Sequence, residues 1–397
     1  MNRKQFLILV VALVVLGGAG FALFWQDITA YRASGAKIGA RLLPGLKVAD
    51  VAQVEVRDAK SRTTLVRKEN QWVVQERAGY AADFKAISDL IIKLIDAKVV
   101  QAETIGESLL PRVELVEPGK GEGAGIRVEF KDASGKPLAT LVLGKKILKK
   151  DPGNPLPSAQ DGVPAGRYVR VLDGKDRVVV VNDPLASIEA DSGRWLDKTF
   201  FKAERIKTLA VEGESAWKIT RDVEWGQWKF AGGAGELDAS AAVGAVNALA
   251  NLGFTDIAID AKLEDEGKPT VVTAETFDSI VYKINLVKRK SGDDYLAKVS
   301  VTGEPPSERP PEKGEKAEET ERRNKDFAES RKRLEARIAR EKALAGSTYI
   351  IEAKQVAPLI KTRDQMVAPK KEPDPAAAKP TGAAAKPKPA PAAAKRK

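Results

Sequence analysis

Near its start the chain carries an apolar stretch that is long enough to span a membrane. Phe6–Trp25 is a run of 20 residues without a charge, and Arg3 and Lys4 precede it. Twenty residues of helix extend over about 30 Å, the thickness of a hydrocarbon core. The pattern therefore predicts a transmembrane anchor over residues 6–25. The residues expected to contact the lipid bilayer are Phe6, Leu13, Leu16, Phe21 and Trp25.

The same segment predicts an orientation. A very short basic N-terminus, residues 1–5, favours the cytoplasmic side, and long domains are translocated largely regardless of their charge. We therefore expect a single-pass protein of the inner (plasma) membrane, with a juxtamembrane linker at 26–47 and a periplasmic or other extracytoplasmic body. A cleaved signal peptide is the alternative, although the apolar run exceeds the usual length of about 7–15 residues.

The body of the chain contains one pattern twice, at an offset of 155 residues. Val51–Val56 and Ile206–Val211 alternate apolar and polar positions, which predicts two equivalent strands. A second strand follows in each copy and ends at Gln71–Val74 or at Gln227–Phe230. The agreement in spacing favours an internal duplication.

Each copy then predicts a helix that begins at an aspartate. Asp83 and Asp238 are placed as N-caps, because a short carboxylate there accepts the unpaired amide hydrogens of the first turn. Apolar residues follow both at helical spacing, as expected of a helix that packs one face on a sheet. They are Phe84, Ile87, Leu90, Ile91, Leu94 and Ile95 in the first copy, and Val243, Val246, Leu249 and Leu252 in the second.

The rest of each copy is rich in predicted strands. A hairpin and one further strand are expected twice, with these matches: Ile126–Phe130 and Leu138–Leu143 with Ile280–Val287 and Tyr295–Val301, and Val178–Val181 with Tyr349–Ile351. The expected fold class is therefore α+β. A transmembrane helix would precede two tandem α+β repeats, 48–200 and 201–368, each a mostly antiparallel sheet with a packed helix.

The second copy is interrupted by a charged insertion, residues 304–345. Its glutamates stand four residues before arginines or lysines, which favours an exposed helix. The apolar stripe of Phe327, Leu334 and Ile338 is too narrow for deep burial. We expect either a solvated helical excursion or an arm that docks a partner. Those three residues and Trp225 are the candidate partner surface.

Two proline-rich segments predict irregular structure. Lys145–Arg167 is a Pro/Gly-rich loop, which the repeat matches to the position of the insertion in the second copy. Residues 369–397 consist mainly of Ala, Pro and Lys and predict a disordered basic tail. This tail carries eight Lys/Arg and two Asp/Glu, so it supplies more than half of the chain's net charge of +11. We expect it to act as a spacer or to contact anionic lipid or cell-wall polymers, whereas nucleic acid is not an expected partner.

Composition excludes much chemistry, because the 397 residues include no Cys and no His. Disulfides, thiol catalysis, imidazole bases and His- or Cys-ligated metal sites are therefore ruled out. We expect no catalytic residue, no cofactor and no metal site. The acidic cluster Asp256, Asp260 and 264–266 is interpreted as a solvated edge rather than a cation site.

One hairpin of the second copy is rich in tryptophan. One interpretation of Trp217, Trp225 and Trp228 is a platform on which sugars stack. Since Trp228 matches Trp72 of the first copy, packing against the helix is the preferred interpretation.

The apolar anchor, the strand Val51–Val56, Trp72, the helix after Asp83 and the second copy with Trp228 together resemble the DUF 4340 family. The resemblance covers about residues 45–303 and 346–368. It implies a bacterial, often membrane-anchored protein, often encoded beside ABC-type transporters like those of gliding motility, and it implies no catalytic residues. The charged insertion and the basic tail depart from that pattern.

These observations predict a non-enzymatic, single-pass envelope protein. It would be a scaffold or accessory subunit of a membrane complex, for which the resemblance implies an ABC-transporter assembly. The alternative is an envelope protein that binds cell-wall glycan or hydrolyses it with carboxylates, and sequence alone cannot exclude a carboxylate pair.

Overall fold

The computed structural model describes residues 37–69, 71–149, 162–174, 176–309 and 315–369. The predicted anchor over 6–25, with Phe6, Leu13, Leu16, Phe21 and Trp25, lies outside these residues, and so does nearly all of the predicted tail. The strands of the described chain form two antiparallel sheets, and the helices are few.

The first sheet has nine strands in the order β4-β3-β2-β1-β6-β7-β8-β9-β5. Its strands are β1 Gln53–Arg57, β2 Arg62–Lys68, β3 Gln71–Val74, β4 Tyr80–Ala81, β5 Val99–Glu103, β6 Ile126–Lys131, β7 Pro137–Lys149, β8 Val163–Val171 and β9 Arg177–Val181. Every pairing is antiparallel. Apolar side chains of alternating positions, such as Val54 and Val56, are fully buried, as period-2 patterning requires.

The second sheet has eight strands in the order β12-β11-β10-β14-β15-β16-β17-β13. Its strands are β10 Ile206–Glu212, β11 Trp217–Thr220, β12 Lys229–Phe230, β13 Asp256–Ile257, β14 Thr270–Thr276, β15 Val281–Lys288, β16 Tyr295–Thr302 and β17 Tyr349–Ile351. Strand by strand this order repeats that of the first sheet, except that β4 has no full counterpart. The duplicated sequence pattern therefore corresponds to a duplicated topology.

Five helices connect the strands of the described residues: α1 Phe84–Asp96, α2 Ala239–Ala250, α3 Leu263–Glu266, α4 Ala317–Ala343 and α5 Ala353–Val356. Both predicted N-caps are confirmed. The Asp83 carboxylate accepts a hydrogen bond from the amide of Ala86, and that of Asp238 accepts from Ser240 and Ala241. Short 3-10 turns lie at Val48–Asp50, Gln75–Arg77, Glu107–Val113, Ser192–Trp195, Leu344–Gly346 and Asp364–Met366.

The two copies also close in the same way. The amide of Asp83 donates to the carbonyl of Trp195 over 2.8 Å, and the amide of Asp238 donates to the carbonyl of Met366 over 2.9 Å. In both copies the end of the repeat thus returns to the helix N-cap. Equivalent isolated bridges, Ala82 with Leu196 and Leu237 with Val367, accompany these hydrogen bonds.

The expected fold class was wrong. The described chain is mostly antiparallel sheet with few helices, rather than an α+β protein preceded by a transmembrane helix. Within the described ranges, no helix is both long enough and apolar enough to cross a bilayer. That finding conflicts with the predicted single-pass membrane character and inner-membrane localisation, and we withdraw both.

The predicted match of the hairpins was shifted by one strand, whereas the match of Val178–Val181 with Tyr349–Ile351 agrees with the sheet order. By position in the sheet, the hairpin β6–β7 corresponds to β14–β15, not to β15–β16. The sequence analysis missed β14, because its buried positions are Val272, Ala274 and Thr276, of which two are small or polar. Weakly apolar alternation of this kind resembles a loop.

The two ends of the segment Lys145–Arg167, which was interpreted as a loop, are strands, and its residues 150–161 lie outside the described residues. Strand β7 continues to Lys149 and β8 begins at Val163, so the two strands extend beyond the sheet as a two-stranded ribbon. The charged insertion lies one connection later in the topology, between β16 and β17. Its counterpart in the first sheet is the short β8–β9 connection, residues 172–176.

A single hydrophobic cluster runs through both sheets. At the junction, Tyr80 of the first sheet packs edge-on against Phe254 and Tyr349 of the second, with ring centroids 5.9 and 6.2 Å apart. Phe200, on the connecting segment, has its ring centroid 4.8 Å from that of Tyr349. Aromatic contacts of this geometry add to the burial energy of each ring, so the junction is a packed interface rather than a linker. The predicted division at residue 200 stays a prediction.

Candidate functional site

The insertion helix α4 is the largest departure from the repeated topology. Its 27 residues correspond to a length of about 40 Å. The first sheet connects the equivalent strands with residues 172–176, whereas the second uses residues 303–348. Because the first sheet closes with a short turn at the same place, the sheet itself does not require a helix there.

The C-terminal part of α4 is fixed to the second sheet by a buried carboxylate. Glu341 is 4% exposed and accepts two hydrogen bonds, from the backbone amide of Lys202 over 3.0 Å and from the hydroxyl of Tyr282 over 2.9 Å. Arg337, one turn earlier, lies 3.7 Å from the Glu341 carboxylate and 2.6 Å from that of Glu204. A buried charge is tolerated when it is paired and hydrogen-bonded in this way.

The pKa values of Arg337 and Tyr282 favour a charged guanidinium and a neutral phenol. Burial first, and then the charge of Glu341, raises the pKa of Tyr282 far above its ordinary value. Burial alone would lower the pKa of Arg337, but its hydrogen bond to Glu204, together with nearby Tyr282 and Glu341, raises it overall. The phenol thus stays a hydrogen-bond donor to Glu341 throughout the physiological pH range.

A cleft of about 330 Å³ opens beside this cluster, where the chain passes from the first sheet to the second. Phe200 and Leu344 supply apolar walls, and Glu204, Lys202 and Arg340 supply polar ones. Among the described residues, no carboxylate lies within 4 Å of the Arg340 guanidinium or of the Lys202 ammonium. Clefts at the meeting of two units are common places for ligands to bind.

The N-terminal part of α4 is held by a second charged cluster. The guanidinium of Arg309 donates two hydrogen bonds of 2.6 Å to Glu315, and that of Arg323 donates one of 2.9 Å. The hydrogen bonds from Arg309 are the main cause of a pKa for Glu315 that is lowered to about 2. The start of α4 is thus tied to the segment that precedes it, whereas its C-terminal part is tied to the second sheet.

The structure separates the residues of the predicted partner surface. Ile338 is 3% exposed and belongs to the main core, and Leu334 packs against that core. Phe327 is half-buried and lines a groove between α4 and Ser307–Arg309. These three residues therefore pack α4 against the rest of the chain. The outward face of α4 is charged and has few apolar residues.

Trp225 is the remaining member of that surface, and it is far from buried. Its side chain is 91% exposed on the connection between β11 and β12, beside the exposed Val223. The other two tryptophans of the hairpin make contacts within the protein. Trp217 is buried and its indole N–H donates to the carbonyl of Lys361, and the Arg221 guanidinium lies 4.8 Å from the ring centroid of Trp228. The three indoles do not form a common platform.

A pair of buried carboxylates does exist, on the first sheet. Glu55 and Glu129 are cross-strand partners of β1 and β6, and both are almost fully buried. The Lys131 ammonium bridges them at 3.5 and 3.2 Å, and Arg62 and Arg127 each pair with one of them. Carboxylates neutralised in this way suit an internal ion-pair network better than acid–base catalysis, which needs one group protonated.

Among the described residues there is no group of three or more Asp or Glu side chains arranged to hold a metal ion. Asp256, which the sequence analysis placed in an acidic cluster, instead pairs with Arg77 of the first sheet.

The sequence analysis missed the residues that shape the cleft, chiefly Glu341, Tyr282 and Arg340. One signal was present: Glu341 follows Leu334 and Ile338 at positions i+7 and i+3, on the face that turned out to be buried. Comparison with known proteins adds no further assignment, since the chain matches no protein-family model, no curated protein and no solved structure.

Proposed function

We propose that this protein is a non-catalytic accessory subunit or scaffold, and that helix α4 is the element that docks a partner protein. The observation that carries the proposal is the position of α4. It occupies a connection that the first sheet makes with residues 172–176. Its C-terminal part is tied to the body through Glu341, and its start is tied through Glu315 to Arg309 in the segment before it. An insertion that the sheet does not require, but that is held in one place, suits recognition.

The charge pattern of the helix supports this reading. Arg322, Lys325 and Lys332 are exposed and lie on one side of α4, at spacings of three and seven residues. Among the described residues none of them is ion-paired, so these charges are available to a partner. Charged surfaces of this type steer association and select partners more than they add affinity.

The partner class is inferred from the resemblance noted above. If that resemblance holds, the partner is a subunit of an ABC-type transporter assembly. The proposal does not depend on how the protein reaches that assembly.

Site-specific photocrosslinking in cells tests the proposal. A photoreactive amino acid would be placed at Lys325 or Ala336, both exposed on α4, and at Lys60 in the exposed β1–β2 turn as the matched control. We expect both α4 positions to crosslink to one transporter subunit, identified by mass spectrometry, and Lys60 to give no such product. No crosslink from α4, or the same products from Lys60, would contradict the proposal.

A second function is favoured by one observation, the exposed indole of Trp225. A single exposed tryptophan can stack on a sugar ring, which is the glycan-binding alternative. The test is binding of the full chain to purified peptidoglycan, with Trp225→Ala as the variant and Val223→Ala, on the same loop, as the control. Saturable binding that only Trp225→Ala abolishes would favour this function over the scaffold.

A further inference from the structure

We propose that the cleft between the sheet connection and the C-terminal part of α4 binds a small monocarboxylate with an apolar body. This inference goes beyond the scaffold function and does not rest on it. It follows from three properties of the cleft: its uncommitted cations, its fixed anions and its apolar walls.

Two cations in the cleft have no carboxylate partner in the part of the chain that the structure describes. Arg340 and Lys202 line the cleft, and among the described residues neither side chain has a carboxylate within 4 Å. Arg337 lines it too, but it is engaged by Glu204 at 2.6 Å. A guanidinium without a partner, beside an ammonium, forms strong charge-assisted hydrogen bonds with a carboxylate, often two in parallel.

The position of Arg340 on the helix is compatible with this role. It lies in the last turn of α4, where carbonyl oxygens give the helix end a partial negative charge. Side chains on a helix, however, lean toward its N-terminus. The guanidinium is therefore carried away from those carbonyl groups and toward the cleft.

The resident anions limit the charge of the ligand. Glu204 and Glu341 both line the cleft, and Glu341 is buried and held by Tyr282 and Lys202. A dianionic phosphate would be repelled by these two carboxylates more strongly than a monoanion. The three cations Lys202, Arg337 and Arg340 and the two carboxylates leave the cleft with a net charge of +1, which a single negative charge neutralises.

The apolar walls and the volume of the cleft indicate the chemistry and size of the remainder of the ligand. Phe200 and Leu344 offer apolar surface on the two sides of the cleft. A volume of about 330 Å³ lies at the small end of the range for ligand pockets, about 300–1,000 Å³. The fitting group is a short alkyl or aromatic body that ends in a carboxylate. It could be a free acid or the C-terminal residue of a protein chain.

Calorimetric titration of the full chain tests the proposal. The probes are 4-phenylbutyrate, the neutral 4-phenylbutanol and the cationic 4-phenylbutylamine, with 4-phenylbutyl phosphate as the dianion. We expect saturable one-to-one binding of 4-phenylbutyrate, at least tenfold tighter than that of each other probe. Equal binding of the acid and the alcohol, or no saturable binding of the acid, would overturn the inference.

Variants locate the site. Arg340→Met should weaken 4-phenylbutyrate binding about tenfold or more, because a charge-assisted hydrogen bond is lost. Lys342→Met, an exposed cation two residues away on the same helix, is the matched control and should bind as the parent does. Since Arg340 is exposed and makes no ion pair within the described residues, the fold should survive, which an unchanged melting temperature would show. Undiminished binding by Arg340→Met would refute the site.

A last comparison distinguishes the two sources of the carboxylate. A tetrapeptide ending in Leu-Phe with a free C-terminus is titrated beside its C-terminal amide. Binding of the acid peptide as tight as that of 4-phenylbutyrate indicates capture of a protein C-terminus. Binding of 4-phenylbutyrate alone indicates a free acid. Either result supports the monocarboxylate site, whereas equal binding of the amide peptide overturns it.

Discussion

Arg77 and Asp256, which are 179 residues apart in the sequence, join the two sheets in an ion pair with two hydrogen bonds. The guanidinium Nε and a terminal nitrogen of Arg77 lie 2.6 and 2.7 Å from the two carboxylate oxygens of Asp256. Both side chains are about four-fifths buried, and hydrogen bonding to Asp256 is the main cause of a raised pKa for Arg77. This pair and the aromatic rings beside it orient the two copies relative to each other.

The junction pair should contribute measurably to stability. We expect Asp256→Asn to lower the free energy of unfolding by about 1–2 kcal/mol, because it leaves a largely buried guanidinium without its counter-charge. Urea unfolding monitored by tryptophan fluorescence measures the change. The control is Asp222→Asn, which removes the exposed Lys229–Asp222 pair of the second sheet and should cost less than about 0.5 kcal/mol. Equal effects of the two variants would show that the junction pair stabilises the fold no more than an exposed ion pair does.

The Tyr282 hydroxyl should matter for the attachment of α4. Tyr282→Phe removes one of the two hydrogen-bond donors to the buried Glu341 carboxylate, at an expected cost of about 1–2 kcal/mol. Tyr295→Phe is the matched control, since its hydroxyl makes no hydrogen bond within the described residues and should change stability by less than about 0.5 kcal/mol. Thermal unfolding followed by circular dichroism compares them. A Tyr282→Phe variant as stable as the parent would argue against the Glu341 attachment.

The start of α4 should loosen in acid. The pKa of Glu315 is lowered to about 2, chiefly by hydrogen bonds from Arg309. A carboxylate with a depressed folded-state pKa stabilises the fold fully above its ordinary value near 4.5, and the contribution is lost as the pH falls from there through about 2. The Thr320 amide donates to the carbonyl of Lys316, and its protection factor against hydrogen exchange, relative to the intrinsic rate at each pH, should fall over that window.

The matched variant for this pH effect is Glu315→Gln, which cannot ionise. We expect it to show a low protection factor at Thr320 that does not change further between pH 4.5 and 2. Glu321→Gln, an exposed residue of the same helix, should keep the pH dependence of the parent. An unchanged pH profile in Glu315→Gln would contradict the assignment.

Local patterns in the sequence predicted local structure well, as the helix caps show. Asp83 and Asp238 were found because a cap depends on one side chain and the amides directly after it. The duplicated start of each repeat, with its strands near Val54 and Leu209, follows from alternation within a few residues. Such features need no knowledge of the rest of the fold.

Long-range relations were not predictable in the same way. The ribbon beyond Gly144 depends on cross-strand pairing, and polar, proline-containing residues there resemble a loop. Strand β14 was missed because its buried face includes Ala274 and Thr276. Strand pairing between residues far apart in the sequence leaves no local pattern, and a strand with few apolar residues shows no clear alternation.

The candidate site was the hardest part to predict. The apolar stripe of α4 was recognised, but Leu334 and Ile338 were interpreted as a surface for another protein when they pack on their own core. The partners of Glu341 could not be read from the sequence, since Tyr282 and Lys202 lie 59 and 139 positions away. A charged residue on a charged helix shows its role only after the chain has folded.

The most direct test of the account is co-purification of a transporter subunit with two charge-reversal variants. One reverses the outward face of α4 with Arg322→Glu, Lys325→Glu and Lys332→Glu. The other makes the same change of charge on the outer face of the second sheet with Lys218→Glu, Lys283→Glu and Lys298→Glu, all exposed. We predict that the α4 variant loses at least nine-tenths of the subunit recovered with the parent chain, while the sheet variant retains it. Full recovery with the α4 variant, or equal loss with both, would contradict a docking role for α4.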